Sequence, residues 1–199
     1  MLVVLDWDGT VTERDTLHMV IECFGDVDVF RQMEGRIGVD LALNEVISVE
    51  LGTITAPLDE VRAWLLDTVA VRSGLAELVS ERDALIVSAG FHELIAPVLE
   101  REGIVATVIA NHLDPRADGW RAVFGTRDIC EVCGEPCKRV ALAGGAPFVY
   151  VGDGISDRCV SLAADRLFAR DGLALWLDEQ GATYEPYDDL HDVRLALKS

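Results

Sequence analysis

Two carboxylates two positions apart, Asp6 and Asp8, stand at the end of the apolar run Leu2-Val3-Val4-Leu5, and Gly9-Thr10 follow them. A short apolar run closed by turn residues reads as a buried strand, and residues two apart at a strand end both face one cleft where the chain bends. Two further apolar runs end in polar signatures. Ala84-Leu85-Ile86-Val87 leads into Ser88-Ala89-Gly90, and Phe148-Val149-Tyr150-Val151 leads into Gly152-Asp153-Gly154-Ile155-Ser156-Asp157, with Lys138 shortly before. The set comprises acids, one hydroxyl beside backbone N–H groups, and one ammonium. Clustered carboxylates repel one another unless a cation sits among them. Mg²⁺ takes one or two carboxylates together with phosphate oxygen and water. A carboxylate can attack phosphorus, and a second can protonate the leaving oxygen and then activate water. N–H groups at a helix start hold phosphoryl oxygens, and a lysine neutralises the charge of nucleophile and phosphate. The chemistry these residue types suit is phosphoryl transfer.

The intervening sequence must bring them together. Asp15 or Thr16 caps a helix carrying Leu17, Val20, Ile21 and Phe24, which Gly25 stops. Residues 28–36 and 40–51 are helical pieces, and Pro57 opens a helix bearing Val61, Trp64, Leu65 and Val69. Residues 14–70 therefore form an all-helical insert behind the first strand, placed to close over its carboxyl end as a lid. From Ser73 strands and helices alternate: a helix over 74–82, the strand at 84–87, a helix over 91–101, a strand over 105–110 and a hairpin or flap over 111–125. An irregular cysteine-rich stretch fills 126–137, and a short helix covers 138–143. The strand at 148–151 is followed by a helix over 157–164, a fifth strand over 166–169, and helices over 172–180 and 188–198. Such alternation implies a parallel sheet covered on both faces, with all carboxyl ends at one edge.

The chain has 199 residues, half of them apolar, with 35 acidic and 17 basic side chains and a formal charge of -18. That balance argues against a nucleic-acid binder, which needs a basic face, and against an anionic membrane surface. No apolar run approaches ~20 residues, and no basic stretch precedes a long apolar one at the start, so the cytoplasm is the expected compartment. Monomer and homodimer are both compatible with the sequence.

The motifs Asp6-Trp7-Asp8-Gly9-Thr10, Ser88-Ala89-Gly90, Lys138 and Gly152-Asp153-Gly154-Ile155-Ser156-Asp157 resemble, in order and spacing, the four motifs of the haloacid dehalogenase-like hydrolase superfamily. The resemblance implies a three-layer α/β sandwich with a parallel Rossmann-like sheet (residues 1–13 and 71–199), a helical cap (14–70) and a β-hairpin flap. It implies Asp6 as nucleophile, Asp8 as general acid/base, and Thr10, Ser88, Ala89, Gly90 and Lys138 around the phosphate. Mg²⁺ would be held by Asp6, Asp8 (through its carbonyl) and Asp153, with Asp157 as ligand or support. An Asp at position 8 is similar to the phosphatases and phosphomutases of that superfamily. The helical insert, Met33-Glu34-Gly35-Arg36 and the 88–92 stretch resemble the phosphoserine-phosphatase-like branch. Where those enzymes carry an acid, a Phe and an Arg, this chain has Asp15, Val39 and Val46, which removes the guanidinium fork for a substrate carboxylate. Leu167-Phe168-Ala169-Arg170-Asp171, Pro186-Tyr187-Asp188-Asp189-Leu190 and the cysteines before Lys138 are similar to the methionine-salvage branch. Members of that branch dephosphorylate 2-hydroxy-3-keto-5-methylthiopentenyl-1-phosphate. The readings that stay open are a phosphomonoesterase acting on a small phosphorylated metabolite, a phosphoserine phosphatase, a phosphomutase, and a non-catalytic phosphate-binding protein.

Candidates for substrate contact are Asp15, Glu34, Arg36, His92, Asn111 and Arg170. For His92 the alternative is a helix start, and for Arg170 a loop salt bridge with Asp171. Trp120 either faces substrate or packs the hairpin, and Trp7 and Cys23 read as packing residues. Cys130, Cys133 and Cys137 hold three thiols within eight residues. They are candidates for Zn²⁺ with His112 or Cys159 as fourth ligand, for packed thiols, or for a disulfide.

Overall fold

A computed structural model of the chain describes residues 1–125, 128–142 and 145–198. Strands β1 (Leu2–Leu5), β2 (Ala84–Phe91), β3 (Thr107–Asp114), β4 (Arg121–Val123), β5 (Phe148–Gly152), β6 (Arg166–Ala169) and β7 (Glu185–Pro186) form one sheet in the order β4-β3-β2-β1-β5-β6-β7. All pairs are parallel except β3 with β4, the expected hairpin. The sheet was legible because β-branched and aromatic residues fill its runs without polar interruption, as strands covered on both faces require. The two-residue β7 has no such run. It is defined by pairing with β6 and by the ion pair of Glu185 with Arg166 at 2.6 Å.

The helices are α1 (Thr16–Phe24), α2 (Val27–Glu34), α3 (Leu43–Leu51), α4 (Leu58–Thr68), α5 (Leu75–Glu81), α6 (His92–Arg101), α7 (Arg158–Ser161), α8 (Asp171–Gln180) and α9 (Leu190–Ala196). The helix expected over 157–164 is shorter. A 3₁₀ turn at Ile155–Asp157 precedes α7, because the backbone there wraps around the Asp157 carboxylate. The helix expected over 138–143 is a 3₁₀ segment, Lys138–Leu142, with position 143 outside the described residues; so are 126 and 127 at the start of the cysteine-rich stretch.

Alternation in β1 and β5 separates the layers. Val3, Leu5, Val149 and Val151 join one apolar cluster; Val4, Phe148 and Tyr150 join the other, with Leu173 and Leu177 of α8. The first cluster runs without a break into Leu17, Val20, Ile47 and Leu51 of α1 and α3, and Trp7 lies fully buried within it. The helices after β1 therefore share the core of the sheet. The β3–β4 hairpin is pinned to them. Trp120 is fully buried and donates its indole N–H to the Ala56 carbonyl at 3.0 Å. Trp120 is thus a packing residue. Cys23, expected in the core, is exposed, since α1 turns Val20 and Ile21 inward instead. Among the described residues no helix is long and apolar enough to cross a membrane.

Candidate active site

β1 is the central strand, with β2 on one side and β5 on the other, and Leu5 sits level with both Ile86 and Val151. The chain progresses outward in opposite directions from this point, the place where open α/β sheets bind ligands. One residue beyond Leu5 is Asp6. Two beyond Ile86 is Ser88, and two beyond Val151 is Asp153. The register alone therefore sets the three signatures side by side.

Asp6 is 4% exposed. Its Oδ1 accepts from the Trp7 N–H at 2.6 Å and pairs with Lys138 Nζ at 2.5 Å. Burial and repulsion from Asp157 push its pKa well above the ordinary carboxylate range, against the pull of Lys138. Lys138 also holds Asp157 at 2.7 Å. Burial disfavours the ammonium, but the charges of Asp157 and Asp6 outweigh that and raise its pKa. Asp157 is fully buried, and both its oxygens are filled. Oδ1 accepts from Lys138 and from the Tyr150 hydroxyl at 2.6 Å, and Oδ2 accepts from the N–H groups of Asp153 and Gly154, each at 2.9 Å. Burial pushes its pKa up, yet Lys138 and these donors hold it below the usual range. Asp157 is therefore a support that fixes Lys138 and the Asp153 turn.

Asp153 is pushed up to about 7 by burial and by Asp157. It accepts the Thr10 hydroxyl proton at 2.7 Å. Thr10 itself is fully buried, so its side chain orients Asp153. Gly9, at φ 75°, is left-handed, and a Cβ there would run into the Asp153 carboxylate. Arg72 clamps this turn by donating to the carbonyls of Gly9 and Thr10, both at 3.0 Å.

Asp8 faces the same cavity. Its Oδ1 accepts from the Thr16 N–H at 2.8 Å and from the Thr16 hydroxyl. Burial, with Asp15 adding repulsion, raises its pKa to about 7 against the Thr16 hydrogen bonds. Asp15 is the residue that caps α1, accepting from the His18 N–H at 2.9 Å, which leaves Thr16 for Asp8. Ser88 is buried, and its Oγ accepts the Gly90 N–H at 2.8 Å. A Cβ at Gly90 would come within 2.8 Å of Asp8, so only glycine leaves room for that carboxylate.

The cavity encloses about 380 Å³. Asp6, Asp8, Ala89, Gly90 and Asp153 line its floor, and Leu17, His18, Glu34, Ile37, Leu43, Ile47 and Glu50 its opposite wall. Eight carboxyl groups line it in all, with His18 as the one basic side chain among its described lining residues. His18 Nε2 lies 3.7 Å from both Asp15 and Glu34. Oxygens of Asp6, Asp153 and Asp157 lie within 4.8 Å of one another. Asp6 and Asp153, with Asp157 and its lysine behind them and so acidic a cavity in front, form a donor set that fits a hard divalent cation.

Sequence reasoning missed Glu50, His18, Thr16 and Tyr150 as site residues. Glu50 is 1% exposed and its Oε1 is buried without a hydrogen-bond partner. Burial, with repulsion from Glu34, pushes it up to about 7. The unfolded value is near 4.5, so between pH 4.5 and 7 the folded protein keeps a proton that the unfolded chain releases, and stability falls as pH rises through that window. Glu50→Gln is therefore expected to raise Tm by several degrees at pH 8, where ~1 kcal/mol is about 2–4 °C, and by little at pH 5. Thermal denaturation at the two pH values checks it.

Other candidates lie elsewhere. Arg36 is half-buried and forks onto Asp40 at 2.6 Å. His92 stacks on His112 at 5.0 Å between ring centroids and bonds the Val108 carbonyl at 3.2 Å. Arg170 pairs with Asp171 at 2.7 Å and lies over the Tyr187 ring; Asp171, not Arg170, reaches the cavity. Asn111 bridges the Ala89 carbonyl (2.7 Å) and the Gly125 N–H (3.1 Å), which braces the β2 end from outside the cavity. Val39 is exposed and Val46 fully buried, and neither lines the cavity. His112 is held by Glu93 at 2.9 Å, whereas Cys159 joins Cys130, Cys133 and Cys137.

A central β1 ending in Asp6 and Asp8, a lysine-clamped acid turn after β5 and a helical wall across the cavity define a hydrolase class. The chain belongs to the haloacid dehalogenase-like hydrolase family, whose sequence profile matches residues 3–161. It is similar to the 2-hydroxy-3-keto-5-methylthiopentenyl-1-phosphate phosphatase of Bacillus cereus (strain AH820), at 25% identity over 98% of this chain and 95% of that one. The enzyme of that name from Exiguobacterium sp. (strain ATCC BAA-1283 / AT1b) is 22% identical over 98% and 96%. Among solved structures, a phospho-aspartyl intermediate analogue of phosphoserine phosphatase superposes with TM-score 0.72 at 18% identity, covering 99% of this chain and 97% of that one. A substrate-bound phosphoserine phosphatase complex gives 0.74 at 15%, covering 98% and 97%. These structures share the fold.

Proposed function

We propose that the chain is a Mg²⁺-dependent phosphomonoesterase that hydrolyses a small phosphorylated metabolite through an aspartyl-phosphate on Asp6. The observation that carries this reading is the pairing of Asp6 Oδ1 with Lys138 at the end of the central strand, with Asp8 held by Thr16 across the same cavity. Asp6 Oδ2, which carries neither the Lys138 nor the Trp7 bond, is the attacking oxygen. It forms a bond to phosphorus as the ester P–O bond breaks, and the leaving oxygen takes the Asp8 proton. A water then gives its proton to Asp8 and attacks phosphorus; the acyl-phosphate P–O bond breaks, phosphate leaves and Asp6 is restored. Lys138 holds Asp6 in place and offsets its charge, and Ser88 and the Ala89–Gly90 backbone border the phosphate. Asp6, Asp153 and the Asp8 carbonyl would hold Mg²⁺, with Asp157 behind them; the ion supplies positive charge to phosphate oxygens that a cavity of carboxylates would otherwise repel. Residues 14–70 act as the cap that excludes bulk water.

Asp8→Asn is expected to lower kcat about 10²–10⁴-fold, the range for a positioned general acid/base. The loss should be smaller for an aryl phosphate, whose leaving oxygen needs no proton. Steady-state kcat/KM on an alkyl and an aryl ester, which reports the steps up to departure of the leaving oxygen and not the shared hydrolysis of the intermediate, measures the difference, and equal losses in kcat/KM would remove Asp8 as the acid.

The substrate we favour is that of the methionine-salvage phosphatases, to which the chain is similar along its length. Phosphoserine carries a carboxylate, and no Arg or Lys is among the described residues lining this acidic cavity; of the two cations lining the cavity adjoining it, Lys138 is held by Asp6 and Asp157 and Arg158 lies over the Trp176 ring. The far wall offers Leu43, Ile47 and the Glu50 carboxyl group, suited to an apolar tail with a hydrogen-bond donor. A phosphate-release panel containing both esters tests this. The methionine-salvage ester is expected to exceed phosphoserine in kcat/KM by at least about 10²-fold, and preference for phosphoserine would overturn the substrate reading.

A further inference from the structure

We propose that Cys130, Cys133, Cys137 and Cys159 bind one Zn²⁺ as a tetrathiolate that clips the segment entering Lys138 to the turn leaving Asp157. The four sulfurs all lie within 4.8 Å of one another, although Cys159 comes from a segment beyond β5. Tetrahedral zinc with Zn–S near ~2.3 Å needs sulfurs about 3.8 Å apart. The Cys130 and Cys159 Sγ atoms are 3.8 Å apart. A disulfide needs about 2.05 Å, and none of the four is paired in one.

The backbone around Cys130 is shaped for a thiolate. The backbone N–H groups of Cys133 and Val132 face the Cys130 sulfur, and the Arg139 N–H faces that of Cys137. Gly134, at φ 77°, lets the chain turn back, with its N–H on the Cys130 carbonyl at 2.8 Å and the Cys130 N–H on the Glu135 carbonyl at 3.0 Å. Donors that orient and stabilise ligating sulfur are what metal sites add around their ligands. Plain apolar packing accounts poorly for the cluster, because Cys133 is exposed and Cys137 and Cys159 are only half-buried. Four soft sulfur donors in a closed tetrahedral set select zinc over the hard cation that suits the carboxylate site.

The clip has a consequence for the catalytic cluster. Cys137 is adjacent to Lys138 and Cys159 lies two residues after Asp157, so a single ion would tie together the two backbone segments whose side chains meet in the buried 2.7 Å ion pair. The segment from 128 to 137 has no long helix or strand of its own to hold it.

Elemental analysis of the intact protein, purified without chelator from zinc-supplemented cells, tests the site directly. The expected content is about one zinc per chain, falling at least about fivefold in Cys159→Ser and staying full in Cys23→Ser, whose exposed thiol lies outside the cluster. Should Cys159→Ser fail to fold, the wild-type protein suffices. Replacing its zinc with Co²⁺ is expected to give sulfur-to-cobalt charge transfer and tetrahedral d–d bands. Five thiols reacting freely in zinc-poor native protein would overturn the proposal, as would a disulfide within the cluster or stoichiometric iron in place of zinc. The readout is independent of the hydrolytic reading: a protein that holds zinc but releases no phosphate removes that reading and leaves this one.

Discussion

Asp6→Asn is expected to lose hydrolysis by at least about 10⁴-fold in kcat while the protein stays folded. Removal of a covalent nucleophile removes the pathway, not one interaction along it, and losses of that size follow. The predicted separation of activity from stability comes from the site's electrostatics. Asp6 is a buried carboxylate whose ionised form is disfavoured by burial and by Asp157. Asparagine keeps the shape and still accepts from the Trp7 N–H, and Lys138 keeps Asp157 as its partner. Tm is therefore expected to stay within a few degrees of the wild-type value. Phosphate release and thermal denaturation on the same preparation measure both halves, and retained turnover would remove Asp6 as nucleophile.

Lys138→Met is expected to damage both. It strips the ammonium from between two buried carboxylates, 2.5 Å from Asp6 and 2.7 Å from Asp157. Breaking a buried pair by removing one partner costs about 3–5 kcal/mol, which corresponds to ~10 °C or more for a chain of this size. Activity should fall by about 10²–10³-fold or further, since the same ammonium offsets charge during transfer. Lys138→Arg is not expected to rescue, because a planar fork does not fit the space of a point charge held between two buried acids. The double variant Lys138→Met with Asp157→Asn should recover part of the stability and none of the activity, as removing both partners leaves less uncompensated charge. Denaturant unfolding of the three variants checks the order. If Lys138→Met is as stable as wild type, the clamp described between Asp6 and Asp157 is wrong.

The parts of this site that can be read without coordinates are those tied to strand ends. Asp6, Ser88 and Asp153 each follow an unbroken apolar run, and parallel register brings such ends to one edge. Lys138, whose side chain fills the gap between two of them, was legible by its type. Residues on the helical wall were not. Whether Val46 or Ile47 faces the cavity depends on a helix rotation of a single position, and Glu50 reads as a solvated surface acid until α3 is seen packed against the sheet's core. Thr16 was hidden for a related reason: either it or Asp15 could cap α1, and only the structure shows that Asp15 caps while Thr16 holds Asp8. His92 and Arg170 lay at the right sheet edge, but nearby acceptors at Val108 and Asp171 draw them off the cavity. The pair Arg36–Asp40 shows how a local i,i+4 ion pair takes a guanidinium that sequence position alone would assign to substrate.

The central claim is that phosphate passes through Asp6. The most direct measurement is reductive trapping: borohydride added during turnover of a phosphate ester, followed by peptide mass mapping. An acyl phosphate is reduced where a free carboxylate is not, so the account predicts homoserine in place of Asp6, dependent on substrate and on Mg²⁺. Continued phosphate release with Asp6 left as aspartate, or reduction at another carboxylate instead, would contradict it.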